Sequence, residues 1–121
     1  MHRDVKWANC IAHPAAAGAR LSRVKLVDWE MAGWGDPAFD VGSALSDFGA
    51  FALRGGANAA PAAMWRAYVR ARGLDEGAAA QLLARCVRFA GARLVQSAYE
   101  HTQETTRVTR GVMTVVSCVC S

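Results

Sequence analysis

The strongest indication of chemistry lies in residues 2–9, which read His-Arg-Asp-Val-Lys-Trp-Ala-Asn. Asp4 and Asn9 are separated by four residues within this octet. Transfer of a phosphoryl group to a hydroxyl needs a carboxylate that orients the hydroxyl and accepts its proton, and a neutral oxygen ligand for magnesium nearby. The spacing therefore predicts a short loop that turns both side chains into one cleft, with Asp4 as the catalytic base and Asn9 as a metal ligand.

A second, acidic metal ligand is expected at Asp28, because magnesium prefers carboxylate oxygens together with phosphate and water. Between Asn9 and Asp28 the chain has room for a β-hairpin. Such a hairpin would return Asp28 to the neighbourhood of Asn9, so that the two side chains share one ion. Its expected parts are an outward strand over 10–12, a turn over 14–20 and a returning strand over 21–27.

These residues and the segment Gly35-Asp36-Pro37-Ala38-Phe39-Asp40 resemble the aminoglycoside phosphotransferase and choline kinase-like family. That family shows the loop His-Gly-Asp-x-His-x-x-Asn, then an aspartate at the position of Asp28, then Gly-Asp-Pro-x-x-Asp. The chain departs from the pattern at Arg3, where glycine is usual, and at Lys6, where histidine is common. With Arg3 the loop also resembles the His-Arg-Asp-x-x-x-x-Asn loop of protein kinases.

The resemblance implies an enzyme that transfers the γ-phosphate of ATP or GTP to a hydroxyl of a small molecule or peptide, with Mg²⁺ as cofactor. It implies that Asp4 is the base and that Asn9 and Asp28 hold the metal. It further implies structural support of the catalytic loop by His2, packed beneath the loop, and by Asp40, which would accept backbone N–H bonds. An ordinary first-turn acid, favoured by the helix dipole, is the other interpretation of Asp40.

The resemblance also implies a nucleotide-binding lobe upstream of the catalytic loop, yet Met1 directly precedes His2. The sequence has no glycine-rich phosphate loop before it and no strand lysine for the α- and β-phosphates, so no residue is assigned to nucleotide binding. We interpret residues 1–121 as a C-terminal lobe only, a fragment or truncated gene product that we expect to be inactive alone. Its expected parts are the catalytic loop, hairpin and metal-binding aspartate (1–36), a helical subdomain (37–107) and an atypical tail (108–121).

The expected fold class is α+β and mostly helical, namely the C-terminal lobe of a protein kinase-like fold with a short β-hairpin after the catalytic loop. An acidic cap at Asp36 followed by Pro37 predicts a helix to about residue 53. Apolar residues at helical spacing predict two more helices, over 61–72 and 76–107. The tail is β-branched and uncharged from residue 112, which is typical of aggregation-prone segments.

Composition limits the class of protein. The 121 residues carry 14 Lys and Arg against 10 Asp and Glu, a net charge of +4, and the excess of arginine falls in the second half. The four cysteines lack metal-site spacing and no apolar run approaches the length of a membrane span, so a cytoplasmic protein with reduced thiols is expected.

Two other functions fit parts of the pattern. The first is a non-catalytic remnant that binds a partner protein, such as a separate N-terminal lobe, through apolar surface left exposed. The second is nucleic-acid binding by the arginine-bearing helices, but aromatic residues are not interleaved with the basic ones as a stacking surface requires. We therefore expect a nucleoside triphosphate and a hydroxyl-bearing substrate as partners, and neither nucleic acid nor membrane.

Overall fold

The structure is a computed structural model that describes residues 1–13, 23–53 and 59–104. Within these ranges a short 3₁₀ turn (Trp7–Asn9) precedes an antiparallel pair of strands and three α-helices. We label the strands β1 (Cys10–His13) and β2 (Arg23–Leu26), and the helices α1 (Ala38–Leu53), α2 (Ala59–Arg72) and α3 (Glu76–Glu104). The described part of the chain is therefore mostly helical with one small sheet, as an α+β fold requires.

The β-hairpin forms where the sequence predicts it. β1 and β2 pair in antiparallel register, with Cys10 opposite Leu26 and His13 opposite Arg23. The register makes β1 one residue longer than expected and ends β2 one residue earlier, before Val27. The expected turn over 14–20 and the start of the returning strand lie outside the described residues.

Helix α1 starts at the predicted capping sequence. The Oδ1 atom of Asp36 accepts a hydrogen bond of 2.9 Å from the backbone nitrogen of Ala38, and the Asp36 carbonyl accepts one of 3.0 Å from Phe39. Asp36 thus satisfies donors that the first turn of a helix leaves unpaired. The Nε atom of Arg85, on α3, lies 2.9 Å from Asp36 Oδ2, so the cap also links the two helices.

The other two helices also occur, with small differences in their bounds. α2 begins at Ala59, two residues before the predicted start at Pro61, because proline is tolerated within the first turn, where its missing N–H has no helical acceptor. Gly73 follows α2 with a φ of 59°, a left-handed conformation that suits the end of a helix. Asp75 caps α3 through a hydrogen bond of 2.8 Å from the Ala78 nitrogen to its Oδ1.

The core lies where α1 packs on α3, with α2 against its edge. Gly42 allows the close approach of α1 and α3, since a Cβ atom there would lie 2.6 Å from the carbonyl oxygen of Cys86. The rings of Phe39 and Phe89 meet edge to face across the same interface, 5.4 Å apart. The buried centre and the half-buried residues around it are Ala38, Val41, Leu82 and Cys86, then Leu45, Met64, Trp65, Tyr68, Leu74 and Phe89.

Two expectations are not tested by this fold. The tail over 108–121 and the end of α3 beyond Glu104 lie outside the described residues. None of the helices described here is long and apolar enough to cross a membrane.

Candidate active site

Asp4 and Asn9 are joined directly by hydrogen bonds. The turn at Trp7–Asn9 folds the loop back, and the Asn9 amide nitrogen donates to the backbone oxygen of Asp4 at 2.9 Å and to its Oδ2 at 3.1 Å. Asn9 is only 6% exposed, so these bonds determine how its amide is oriented. Both hydrogen bonds use the amide nitrogen of Asn9. Its amide oxygen, which is the atom that would bind magnesium, remains available to other partners.

The carboxylate of Asp4 lies between two cations. The Nζ atom of Lys6 is 2.6 Å from Oδ2, and a guanidinium nitrogen of Arg93, on α3, is 3.7 Å from Oδ1. The hydrogen bond from Lys6 is the main reason that the pKa of Asp4 is below its ordinary value of 3.8, and partial burial opposes it. The charge of Lys6, the Asn9 bond and the charge of Arg93 add to the lowering. Asp4 is therefore an ionised carboxylate at neutral pH.

His2 lies beneath the loop and is 2% exposed. Its Nδ1 atom accepts the backbone N–H of Asp4 at 3.2 Å, and its Nε2 atom lies 2.8 Å from the carbonyl oxygen of Val27. Since Nδ1 must act as the acceptor, Nε2 carries the proton and donates to Val27. The ring also meets Trp29 edge to face at 4.7 Å. His2 thus ties the catalytic loop to the end of the hairpin.

Asp40, in the first turn of α1, receives two backbone donors from the loop. The nitrogen of His2 lies 2.6 Å from its Oδ2, and the nitrogen of Arg3 lies 2.8 Å from its Oδ1. Hydrogen bonds to a charged acceptor are stronger than those between neutral groups. The loop is thereby attached to the N-terminal end of α1.

A second attachment joins the loop to α1 two turns further on. The backbone nitrogen of Trp7 donates to Asp47 Oδ2 at 2.9 Å, and the Trp7 ring meets Phe48 edge to face at 4.5 Å. Asp40 and Asp47 are seven residues apart, and 3.6 residues per turn places them on one face of the helix. That face holds the loop at both ends.

The hairpin brings the chain at Asp28 back to Asn9. The nitrogen of Val27 donates to the carbonyl oxygen of Asn9 at 2.9 Å, one residue before Asp28. Asp28 then adopts a φ of 68°, and Arg3 one of 70°; no other non-glycine residue in the described ranges has a positive φ. Such conformations cost roughly 1–3 kcal/mol each and concentrate at functional sites. Both therefore mark this region as the candidate site.

The oxygen donors available here fit magnesium rather than a softer metal. Asn9 offers an amide oxygen and Asp28 an exposed carboxylate. Magnesium is usually held by one or two carboxylates together with substrate phosphates and water. Throughout the described part of the chain, no group of three or more His, Cys, Asp or Glu side chains forms a self-contained metal site. An ion held here would thus take its other ligands from substrate and solvent.

Arg3 connects the loop to the segment that precedes α1. Its guanidinium donates to the carbonyl oxygen of Trp34 at 2.7 Å and lies over Gly33, where a Cβ atom would stand 2.9 Å from the guanidinium carbon. The backbones of Met1 and Gly33 also exchange hydrogen bonds, of 2.9 and 3.0 Å. The segment is thereby held beside the catalytic loop.

Comparison with known proteins identifies the family. The sequence model of the phosphotransferase enzyme family matches residues 1–83, about two thirds of the chain. The chain belongs to this phosphotransferase family. No curated protein and no solved structure matches it. The family match includes the loop, the hairpin and α1, and it ends within α3.

Membership of the phosphotransferase family gives the conformation of Arg3 a physical meaning. The family pattern usually has glycine at this position, and glycine adopts a positive φ without steric cost. In this member of the family an arginine adopts the positive φ, and its guanidinium donates a hydrogen bond to Trp34.

Three residues that contact the loop of this candidate site were not identified as site residues from the sequence. Asp47 had a detectable signal, since it lies seven positions after Asp40 on the same helical face. Lys6 had a weaker one, because a side chain two residues from Asp4 can reach it. Arg93 had none, since its contact with Asp4 depends on how α3 packs against α1.

Proposed function

We propose that the chain is the C-terminal lobe of a protein kinase-like phosphotransferase that transfers the γ-phosphate of ATP or GTP to a hydroxyl. The observation that supports this most strongly is the meeting of the loop and the hairpin. Asn9 is bonded through its side chain to Asp4 and through its carbonyl to the residue before Asp28. Asp28 is thus returned by the hairpin to the loop that carries Asp4 and Asn9, so that the three oxygen-bearing side chains arise from adjoining points of the backbone.

Asp4 would orient the acceptor hydroxyl and take its proton as the new bond from its oxygen to the γ-phosphorus forms. The bond from that phosphorus to the β,γ-bridging oxygen would break in the same step and release the nucleoside diphosphate. Lys6 and Asn9 both engage Oδ2, which leaves Oδ1 to accept the hydroxyl. A carboxyl with a lowered pKa is a weak base, but the transition state of phosphoryl transfer is loose. Orientation of the two reactants therefore contributes more than basicity.

Asn9 and Asp28 would hold magnesium, which when bound offsets the negative charge of the nucleotide phosphates. The buried Asn9 amide is held by Asp4, and Asp28 extends into solvent at the end of the hairpin. His2 and Asp40 would keep the loop in the conformation that presents these groups. Catalysis then depends on a scaffold whose hydrogen bonds are formed before substrate arrives.

This arrangement assigns a different role to each part of the chain. Residues 1–36 would carry the chemical groups, residues 37–107 would form the helical scaffold and the acceptor side, and residues 108–121, which lie outside the described residues, would be the atypical tail. Nucleotide binding is assigned to the other lobe of the kinase-like fold, as the family resemblance implies.

Replacement of the base tests the proposal. The full chain, alone and supplied with the nucleotide-binding lobe of a phosphotransferase of this family, is incubated with Mg²⁺ and γ-labelled ATP or GTP and a panel of hydroxyl acceptors. Asp4→Asn should lower transfer by about 10²–10⁴-fold, because it removes the proton acceptor and little packing. Asp75→Asn, which retains a capping side chain on α3, is the matched control and should transfer at the parental rate.

Two outcomes would contradict the proposal. Transfer by Asp4→Asn at the parental rate, with an unchanged circular dichroism spectrum, would show that this carboxylate is not the base. Absence of transfer to every acceptor in the presence of the added lobe would count against catalysis altogether.

A second function, binding of a partner protein without catalysis, is favoured by one observation. Large apolar side chains are exposed on β2 and on the segment after it: Val24, Trp29, Met31 and Trp34, the last 97% exposed. Exposed apolar side chains of this size mark an interface where they adjoin one another. If this function is the correct one, the chain binds the added lobe in calorimetry and no phosphate is transferred.

A further inference from the structure

We propose that the acceptor carries a phosphate or carboxylate group near its reactive hydroxyl and that Arg93 binds this group. The inference rests on the proposed function and assigns its substrate class. It concerns a residue beyond position 83, where the family match ends.

The position of Arg93 gives it access to the acceptor. Its guanidinium nitrogen lies 3.7 Å from Oδ1 of Asp4, the oxygen that neither Lys6 nor Asn9 engages. A hydroxyl that approaches Oδ1 is therefore placed beside the guanidinium. The Arg93 side chain is 21% exposed, so part of it remains open to the cleft.

Arg93 also retains hydrogen-bonding capacity. A separation of 3.7 Å exceeds hydrogen-bond length, so Asp4 attracts the guanidinium without using its donors. Among the side chains that the structure describes, in residues 1–13, 23–51 and 59–100, Asp4 is the one carboxylate within 4.0 Å of it. A guanidinium has five N–H donors in a planar fork that matches the oxygens of a phosphate or carboxylate.

Immediately beside the Asp4 carboxylate there are two cations. Asp4 is flanked by two cations, Lys6 and Arg93, whereas both oxygens of Asp40 accept backbone donors from the loop. An acceptor that carries several amino groups would bring like charges together, which opposes binding. A hydroxyl compound with an anionic group would instead pair with Arg93 while its hydroxyl meets Asp4.

A purely structural role for Arg93 makes a different prediction. If the guanidinium only orients Asp4, its loss weakens all acceptors alike. If it binds the anionic group, its loss removes the preference for charged acceptors and leaves uncharged ones nearly unchanged. The ratio of affinities is therefore the measurement that separates the two roles.

The test is calorimetric titration of the full chain with four probes: glycerol 3-phosphate, glycerate, uncharged glycerol and the polycationic aminoglycoside kanamycin. We expect one or both anions to bind more tightly than glycerol and kanamycin, and the two anionic probes show whether phosphate or carboxylate is preferred. Arg93→Gln should weaken the preferred anion by about 10–100-fold, the range for loss of a hydrogen bond to a charged group. Arg88→Gln replaces an exposed arginine on the same helix and should change the affinity for that anion by less than about twofold. Arg93→Lys should recover part of the affinity that Arg93→Gln loses.

Four results would overturn the assignment. The first two are tighter binding of kanamycin than of both anions, and equal affinity of the parental chain and Arg93→Gln for the anions. The third is an equal loss of affinity for the anions and for glycerol in Arg93→Gln. The fourth, from a parallel titration with Mg²⁺·ATP, is a loss confined to that nucleotide, which would assign the guanidinium to the nucleotide. These measurements need no phosphate transfer. If the anions bind through Arg93 but no phosphate is transferred, the anion site is supported and the proposed phosphotransferase function is refuted. If phosphate is transferred to kanamycin alone, and the transfer depends on Asp4, only the proposed acceptor class is refuted.

Discussion

The Oδ1 atom of Asp40 accepts a hydrogen bond of 2.8 Å from the backbone nitrogen of Arg3, across 37 positions of sequence. Arg3 has a left-handed backbone conformation, so the bond holds a turn that an arginine does not favour by itself. Through this contact and its neighbour at His2, the first turn of α1 maintains the shape of the catalytic loop.

Removal of that carboxylate should destabilise the protein. Asp40→Ala leaves the backbone donors of His2 and Arg3 without their acceptor, and we expect the free energy of unfolding to fall by about 1.5–3 kcal/mol. Urea denaturation measures the change. Asp75→Ala is the control, because it removes only a helix cap and should cost about 1 kcal/mol. A loss in Asp40→Ala no larger than in the control would show that the loop does not depend on this brace.

Replacement of Lys6 should raise the pKa of Asp4. Lys6→Met removes the hydrogen bond and the charge that chiefly lower it, and ¹³C NMR of the Asp4 carboxyl follows the titration. Because the pKa of Asp4 is depressed in the folded protein, its carboxylate stabilises the fold at pH values above its unfolded-state pKa, near 3.8. This contribution disappears as the pH falls through the folded-state pKa. In Lys6→Met the contribution should be smaller and should disappear at higher pH.

Lys25→Met, an exposed lysine on β2, is the control for this titration and should leave the Asp4 carboxyl unchanged. Equal titration of Asp4 in Lys6→Met and in the parental protein would mean that the 2.6 Å contact does not persist in solution.

Two glycines of α1 should respond in opposite directions to substitution by alanine. At Gly42 the new methyl group would lie 2.6 Å from the Cys86 oxygen and 2.8 Å from the Phe89 Cβ, so Gly42→Ala should cost about 1–3 kcal/mol through overpacking. At Gly49 nothing lies within 4 Å, and Gly49→Ala should gain about 0.5–1 kcal/mol through helix propensity. Chemical denaturation of both variants checks the pair. Similar effects at the two positions would contradict the close approach of α1 and α3.

Asp28 should show a trade-off between stability and function. Asp28→Gly relieves the positive φ and should raise the free energy of unfolding by up to about 1 kcal/mol, while it removes a proposed magnesium ligand. Thermal unfolding measures the first effect, and Mg²⁺-dependent nucleotide binding with the added lobe measures the second. Asp28→Asn is the control, since asparagine tolerates the conformation and retains a neutral oxygen. Unchanged magnesium dependence in Asp28→Gly would exclude Asp28 as a ligand.

The elements of this fold were largely predictable because their signals are local. Apolar residues at helical spacing indicated all three helices, and the cap at Asp36 indicated the start of α1 to within two residues. The hairpin between Asn9 and Asp28 followed from its length and from the strand pattern before Asp28. The family resemblance rested on short motifs of the same local kind, and the family match confirms it.

The sequence by itself determined which residue types were available for chemistry and in what order they occur, because spacing along the chain does not depend on folding. Only the tertiary structure decided that Arg93 stands beside Asp4, that Asp47 accepts a hydrogen bond from Trp7, and that His2 joins the loop to Val27 at the end of the hairpin. These contacts join positions far apart in sequence. The contact of Arg93 with Asp4 depends on the packing of α1 against α3, where the close approach at Gly42 sets the distance between the helices, and no periodicity within one segment encodes that distance.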